Sequence, residues 1–166
     1  MVITALLSMW ISNTATTLMM LPIVLALIAS ARRENDDPEA NRRFALILLL
    51  GLAYAASIGG MATPVGTPPN LIFAGAMSES FPELPEIGFA DWMRLGVPVA
   101  AVMLVLTFVM LNFVLLRLGP NYRLGERSRL KDQLAALGSW SKAEVLVAVG
   151  FVTTAALWVL RKPLTE

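Results

Sequence analysis

Long apolar stretches separated by short polar links dominate the chain, covering residues 1–31, 44–77, 92–118 and 143–160. A hydrocarbon core about 30 Å thick takes about 20 helical residues to cross. The pattern therefore predicts an all-α integral membrane protein. The first stretch is divided. Residues 1–11 are apolar but rise only about 15 Å as a helix. The polar triplet Ser12-Asn13-Thr14 follows, and then a second apolar arm to residue 31 that contains Pro22. Two arms around a polar tip predict a re-entrant helical hairpin over 1–31 with its tip near the midplane. An ordinary spanning helix with its polar residues packed on a neighbour fits the local pattern equally well.

The second stretch is a transmembrane helix over 44–81 that is broken in the middle. Residues 57–70 read Ser-Ile-Gly-Gly-Met-Ala-Thr-Pro-Val-Gly-Thr-Pro-Pro-Asn. Its glycines permit backbone shapes that other residues resist, and its prolines remove amide donors. Unwound backbone at membrane depth is tolerated only where protein buries it or where it lines a cavity. Residues 58–70 are thus expected to be an unwound, protein-lined break. Beyond an acidic connector, residues 92–118 predict a spanning helix with a kink near Pro98, and residues 143–160 predict another. Between them, Leu130, Leu134 and Leu137 in the loop 119–142 have the spacing of an apolar helical stripe. That stripe suits an interfacial helix or a packed linker. Both chain ends read as cuts through a larger membrane protein.

Composition strengthens the membrane reading. Of 166 residues, 57% are hydrophobic and 15% charged, with mean hydropathy +0.68; a soluble domain has about a quarter of its residues charged. Where the charges fall matters more than their sum. Arg32, Arg33, Arg42 and Arg43 occupy the link 32–43, and Arg123, Arg127, Arg129, Lys131 and Lys142 the link 119–142. The connector 78–91 holds Glu79, Glu83, Glu86 and Asp91 with no Lys or Arg. The positive-inside rule makes the two basic links cytoplasmic. A net charge of +1 argues against nucleic acid as a partner. Neither Cys nor His occurs, which excludes disulfides, thiolate or imidazole metal sites and histidine-based catalysis. Lys131, Lys142 and Lys162 fall in loops or termini, so no lysine activates a buried serine. The chain is not expected to be an enzyme.

Residues 1–31 and 44–77 hold no Asp, Glu, Lys or Arg, so no carboxylate or basic side chain of these arms serves proton coupling inside the membrane. The interruptions supply neutral oxygens instead: Ser8, Ser12, Asn13 and Thr14 from one, Thr63 and Thr67 from the other. Such groups suit a hard monovalent cation. Broken helices also present amides and a dipole that suit an anion. In discontinuous carrier helices the half-helix N-termini face the anion, and unwound carbonyls face sodium. Taken singly, each Ser or Thr is more often explained by close helix packing.

The two motifs together, Ser-Asn-Thr at 12–14 and Gly-Gly-Met-Ala-Thr-Pro-Val-Gly-Thr-Pro-Pro-Asn at 59–70, resemble those of the divalent-anion:sodium symporters. These are the solute carrier 13 type carriers of dicarboxylates, citrate and sulfate. The resemblance runs on through Asp91-Trp92 and from Leu137-Gly138 to Trp158. It implies part of an inverted-repeat, elevator-type transporter that is a homodimer when full length, sits in the cell membrane as a multi-pass protein and has a second repeat not contained in this chain. It implies a sodium site from Ser8, Ser12, Asn13 and the Gly66 carbonyl. It also implies a substrate site from Asn13, Thr14, Thr67 and Pro68 for a small anion, a succinate-like di- or tricarboxylate or sulfate, with sodium as the coupling ion and the lipid bilayer as surroundings. An anion exchanger, a citrate- or arsenite-type permease of related architecture, and a non-transporting truncated membrane protein are the alternatives.

Overall fold

The computed structural model describes residues 1–116 and 141–160. Among them all regular structure is helical. The chain divides into two units, Met1–Arg123 and Leu124–Glu166. In the first, α1 (Val2–Ser8) turns through residues 9–12 into α2 (Asn13–Glu34), and α3 (Pro38–Gly60) follows. After an unwound segment come α4 (Pro68–Ser80) and α5 (Phe89–Val109), the latter continuing as a π-helical turn, Met110–Leu115. The second unit contributes α6 (Lys142–Val159). The stripe Leu130, Leu134 and Leu137 lies outside the described residues.

Local chemistry sets the boundaries. Pro38 opens α3, where its missing amide costs nothing, and Asp37 caps it by accepting from the Glu39 and Ala40 amides at 2.9 and 3.2 Å. The polar link therefore shrinks from the expected 32–43 to residues 35–37, with the four arginines on helix ends. At its other end α3 runs through Gly59 and Gly60. The non-helical part is residues 61–67, narrower than the expected 58–70. The reason is Pro64: a helix through that point needs its amide for the Gly60 carbonyl, and proline has none. Pro68 and Pro69 then begin α4. The long span starts three residues before the expected 92, because the Asp91 carboxylate accepts from the Gly88 amide at 3.2 Å. α6 opens on a capping box in which Ser141 Oγ accepts from the Glu144 amide and Glu144 accepts from the Ser141 amide.

In the first unit α1 lies along α3, Met1 reaching Gly51 and Ser8 bonding Ala56. α2 returns along the same helix, with Asn13 beside Gly60 and with Val24 and Ile28 packed on Leu52. The two form a helical hairpin whose tip meets the C-terminal end of α3. Small residues make this approach close: a Cβ at Gly59 would collide with the Ala5 backbone. Among the described residues four helices, Asn13–Glu34, Pro38–Gly60, Phe89–Leu115 and Lys142–Val159, are long and apolar enough to cross a membrane. In the first unit the outer faces carry large apolar side chains such as Leu18, Leu95, Val102 and Leu106, as lipid contact requires.

Candidate functional site

The break in α3 is best understood by following its carbonyls. A helix ends with unsatisfied carbonyl groups, and burying one without a partner costs about 1–3 kcal/mol. Here the Met61 and Ala62 amides serve the Ile58 and Gly59 carbonyls, and side chains serve those beyond. Asn70 donates its amide hydrogens to the Gly60 carbonyl at 2.9 Å and the Thr63 carbonyl at 2.8 Å. Trp92, from α5, donates its indole N–H to the Met61 carbonyl at 3.0 Å. Thr63, fully buried, donates its hydroxyl to the Met9 carbonyl at the hairpin tip and accepts from the Gly66 amide at 3.1 Å. Among the described residues no buried side-chain nitrogen or oxygen lacks a partner. The segment 61–67 is therefore not a loose loop. It is held by hydrogen bonds to α4, α5 and the hairpin.

The tip of the hairpin faces this segment. Ser8 is fully buried, and its Oγ lies 2.7 Å from the Ala56 carbonyl oxygen and 2.7 Å from Asn13 Oδ1. A hydroxyl carries one hydrogen, so it serves only one of these acceptors at a time. Three oxygen atoms, Ser8 Oγ, Asn13 Oδ1 and the Ala56 carbonyl, thus gather around that one hydrogen. Gly60 connects this pair to the break: a Cβ there would overlap the Asn13 amide, and a Cβ on Gly66 would overlap Gly60. Among the described residues the buried polar groups are Thr4, Ser8, Thr16, Asn41, Thr63 and Asn70, all uncharged.

The helix ends at the junction differ as anion hosts. Asn13 and Thr14 are the first residues of α2, whose 22-residue length gives a full dipole. Ser12 Oγ takes the Ala15 amide at 3.3 Å, and the amides of Asn13 and Thr14 point out of the helix end. α4 begins with Pro68 and Pro69, which have no amides, and the Asn70 amide goes to the Thr67 carbonyl at 3.1 Å. The α2 end therefore offers donors, while the α4 end offers chiefly the Thr67 oxygens.

Of the residues singled out from sequence, Ser8 and Asn13 are bonded to each other, and Gly66 is buried one glycine away, against Gly60. Ser12 caps α2, and Thr14 is exposed next to it. Thr67, half-buried, is the N-cap of α4 without a side-chain capping bond, and Pro68 is exposed. Sequence reasoning passed over Asn70, Trp92 and the Ala56 carbonyl. Asn70 was detectable: an Asn six residues after a helix-ending proline is a ready donor for the carbonyl which that proline orphans. Trp92 and Ala56 meet the site only through tertiary contact.

Comparison with known proteins gives a family match over nearly the whole chain. A family model described as citrate transporter matches residues 1–165. Sodium-dependent dicarboxylate transporter SdcS from Staphylococcus aureus strains NCTC 8325 / PS 47, bovine RF122 / ET3-1 and COL is 37% identical over 165 residues. That alignment covers 98% of this chain and 31% of each relative, so the chain spans about a third of the length of these relatives. The expected class, a multi-pass integral protein of the cell membrane and not an enzyme, agrees with these transporter relatives.

Proposed function

The chain belongs to the citrate transporter family, and on that premise we propose that it forms part of a sodium-coupled symporter for small divalent organic anions, with succinate-like dicarboxylates as the leading class. The observation that carries this reading is the charge-free junction of Ser8, Asn13 and the 61–67 backbone. A dicarboxylate entering such a junction loses water around two charges, a cost that is prohibitive without counter-charge. Among the described residues the junction has no buried Arg or Lys to supply it. Sodium held by Ser8 Oγ, Ser12 Oγ, Asn13 Oδ1 and the Gly66 carbonyl provides a positive charge. The N-terminus of α2 adds its dipole and the Asn13 and Thr14 amides toward a carboxylate. Thr67 and Pro68 line the opposite wall. Binding of sodium before the anion follows from this electrostatic order.

In the same reading α1 and α2 are a re-entrant hairpin, entered from the cytoplasmic face. The first unit moves as a transport body in an elevator-type cycle, within a homodimer of the full-length protein. The sodium-dependent transporter named among the relatives supports the coupling ion. The test is uptake of labelled succinate into vesicles bearing the protein made from its complete reading frame. Replacing sodium by potassium should reduce uptake on the order of tenfold or more, the effect of losing about 1.4 kcal/mol or more of coupling. Uptake that ignores the substitution, or that requires an internal counter-anion instead, would refute sodium symport.

A further inference from the structure

One face of α5 meets the hairpin tip, the break and α4 together. Phe89, Trp92, Gly96 and Ala100 lie three and four residues apart, so they form one stripe along the helix. Phe89 stacks on Trp10 of the hairpin tip with ring centroids 6.0 Å apart, and Trp92 meets Phe73 of α4 edge-on at 6.1 Å. The Trp92 indole N–H donates to the Met61 carbonyl at 3.0 Å. One turn further on, a Cβ built on Gly96 would lie 2.9 Å from the Ala62 carbonyl oxygen and 3.0 Å from that of Met61. Ala100 packs in one cluster with Ile58 and Ala62. Between these positions Leu95, Val97 and Val99 are exposed.

Two complementary devices thus act on the same pair of peptide groups. The indole draws the Met61 carbonyl toward α5 and fixes its direction. Gly96 leaves the room that this approach needs, which any side chain would fill. A displacement of residues 61 and 62 is passed on to the junction. Met61 follows Gly60 in the chain, and Gly60 lies so close to Asn13 and Gly66 that a Cβ would overlap either contact. Ligand groups have to be held within about 0.5 Å for a site to keep its affinity, and the groups that hold them are as necessary as the ligands.

From this geometry we infer that Trp92 and Gly96 are positioning residues of the sodium site. They set where the 61–67 backbone lies, and with it the fit of Gly66 and Asn13 around the cation, while neither touches the ion. The inference rests on the sodium reading of the junction.

Two measurements on the full-length protein and its W92F, G96A and G75A variants test it. The first is hydrogen–deuterium exchange of residues 61–67 in potassium chloride, which needs no sodium. W92F keeps an aromatic ring at the place of the indole and loses the N–H. Exchange should quicken several-fold in W92F and G96A and keep the parent rate in G75A, where an added Cβ meets nothing within 4 Å. The second is the sodium dependence of succinate uptake. The sodium concentration for half-maximal uptake should rise about tenfold in W92F and G96A, with the maximal rate within about twofold of the parent. A general loss of folded protein lowers the maximal rate and leaves the half-maximal concentration alone. W92F adds no atoms, so it decides by itself if G96A does not fold. Parent-like exchange in W92F shows that α5 does not hold the break and overturns the inference. Faster exchange with an unchanged half-maximal sodium concentration overturns it as well, because the break then moves without consequence for the cation. A parent protein indifferent to sodium is a separate failure, which refutes the sodium reading and the positioning role with it.

Discussion

α3 and the span Phe89–Leu115 are both long and apolar enough to cross a membrane, yet half of the apolar window of α3 is buried by protein and only 11% of that of Phe89–Leu115 is. Hydropathy reports only that a helix avoids water. It does not report whether lipid or protein covers it. What separates the two is small and polar residues. α3 brings Gly51, Ala55, Ala56, Gly59 and Gly60 to its contact face and ends at a proline-induced break whose carbonyls need partners. The long span carries Leu95, Val102, Val105, Leu106 and Phe108 outward, and its Asn112 donates back to its own Phe108 carbonyl. Glycine shows the contrast most directly: a Cβ on Gly59 meets the Ala5 backbone, whereas one on Gly75 of α4 meets nothing within 4 Å.

The sharpest way to break this comparison is therefore a methyl group. Gly59→Ala should separate the hairpin from α3, at about 3 kcal/mol, the upper end of overpacking costs, with loss of uptake and a fall in thermal stability of the purified protein. A Gly59→Ala protein as stable and active as the parent would show that the close approach is not needed. Next in size is Asn70→Leu, which leaves the Gly60 carbonyl without its donor and the Thr63 carbonyl with only the Gly66 amide at 3.4 Å. Unmade buried bonds cost about 1–3 kcal/mol each, so unfolding in a denaturant titration should shift by about 3 kcal/mol.

Thr63 sharpens the comparison further, because it ties the break to the hairpin. Thr63→Val keeps the shape and removes the hydroxyl, at about 2 kcal/mol, whereas Thr63→Ser keeps the bonds to Met9 and Gly66. The sodium concentration for half-maximal uptake should rise several-fold in the valine variant and recover in the serine variant. Equal behaviour of the two would mean that the hydroxyl is idle. The smallest effect belongs to α4. Gly75→Ala should change stability by no more than about 1 kcal/mol, in the stabilising direction, since nothing lies within 4 Å of a Cβ there and alanine is the better helix former.

The spans were legible because about 20 apolar residues in a row have few other uses. The hairpin tip and the break were legible as interruptions, Ser12-Asn13-Thr14 and the run ending at Asn70. Their boundaries were less so. Gly59 and Gly60 look like helix breakers in a string, but in the structure they are helical and serve contact with Ala5 and Asn13. The actual stop is set by Pro64, acting four residues upstream through a missing amide. Pro38 likewise reads as a loop residue but opens a helix, because Asp37 is beside it as a cap. The partners of the site, Trp92 on the Met61 carbonyl and Ala56 on Ser8, join residues 31 and 48 positions apart. No local pattern announces them.

In the proposed function, neutral oxygens around Ser8 and Asn13 hold sodium. The most direct measurement is the melting temperature of the purified full-length protein in sodium chloride against potassium chloride at equal ionic strength, for the parent and for Asn13→Ala. A ligand that binds only the folded state raises stability by about 2.7 kcal/mol at a hundred times its Kd. The parent should melt several degrees higher in sodium, and Asn13→Ala should melt at the same temperature in both salts. A parent indifferent to the cation, or an Asn13→Ala variant that keeps the full sodium shift, would contradict the account.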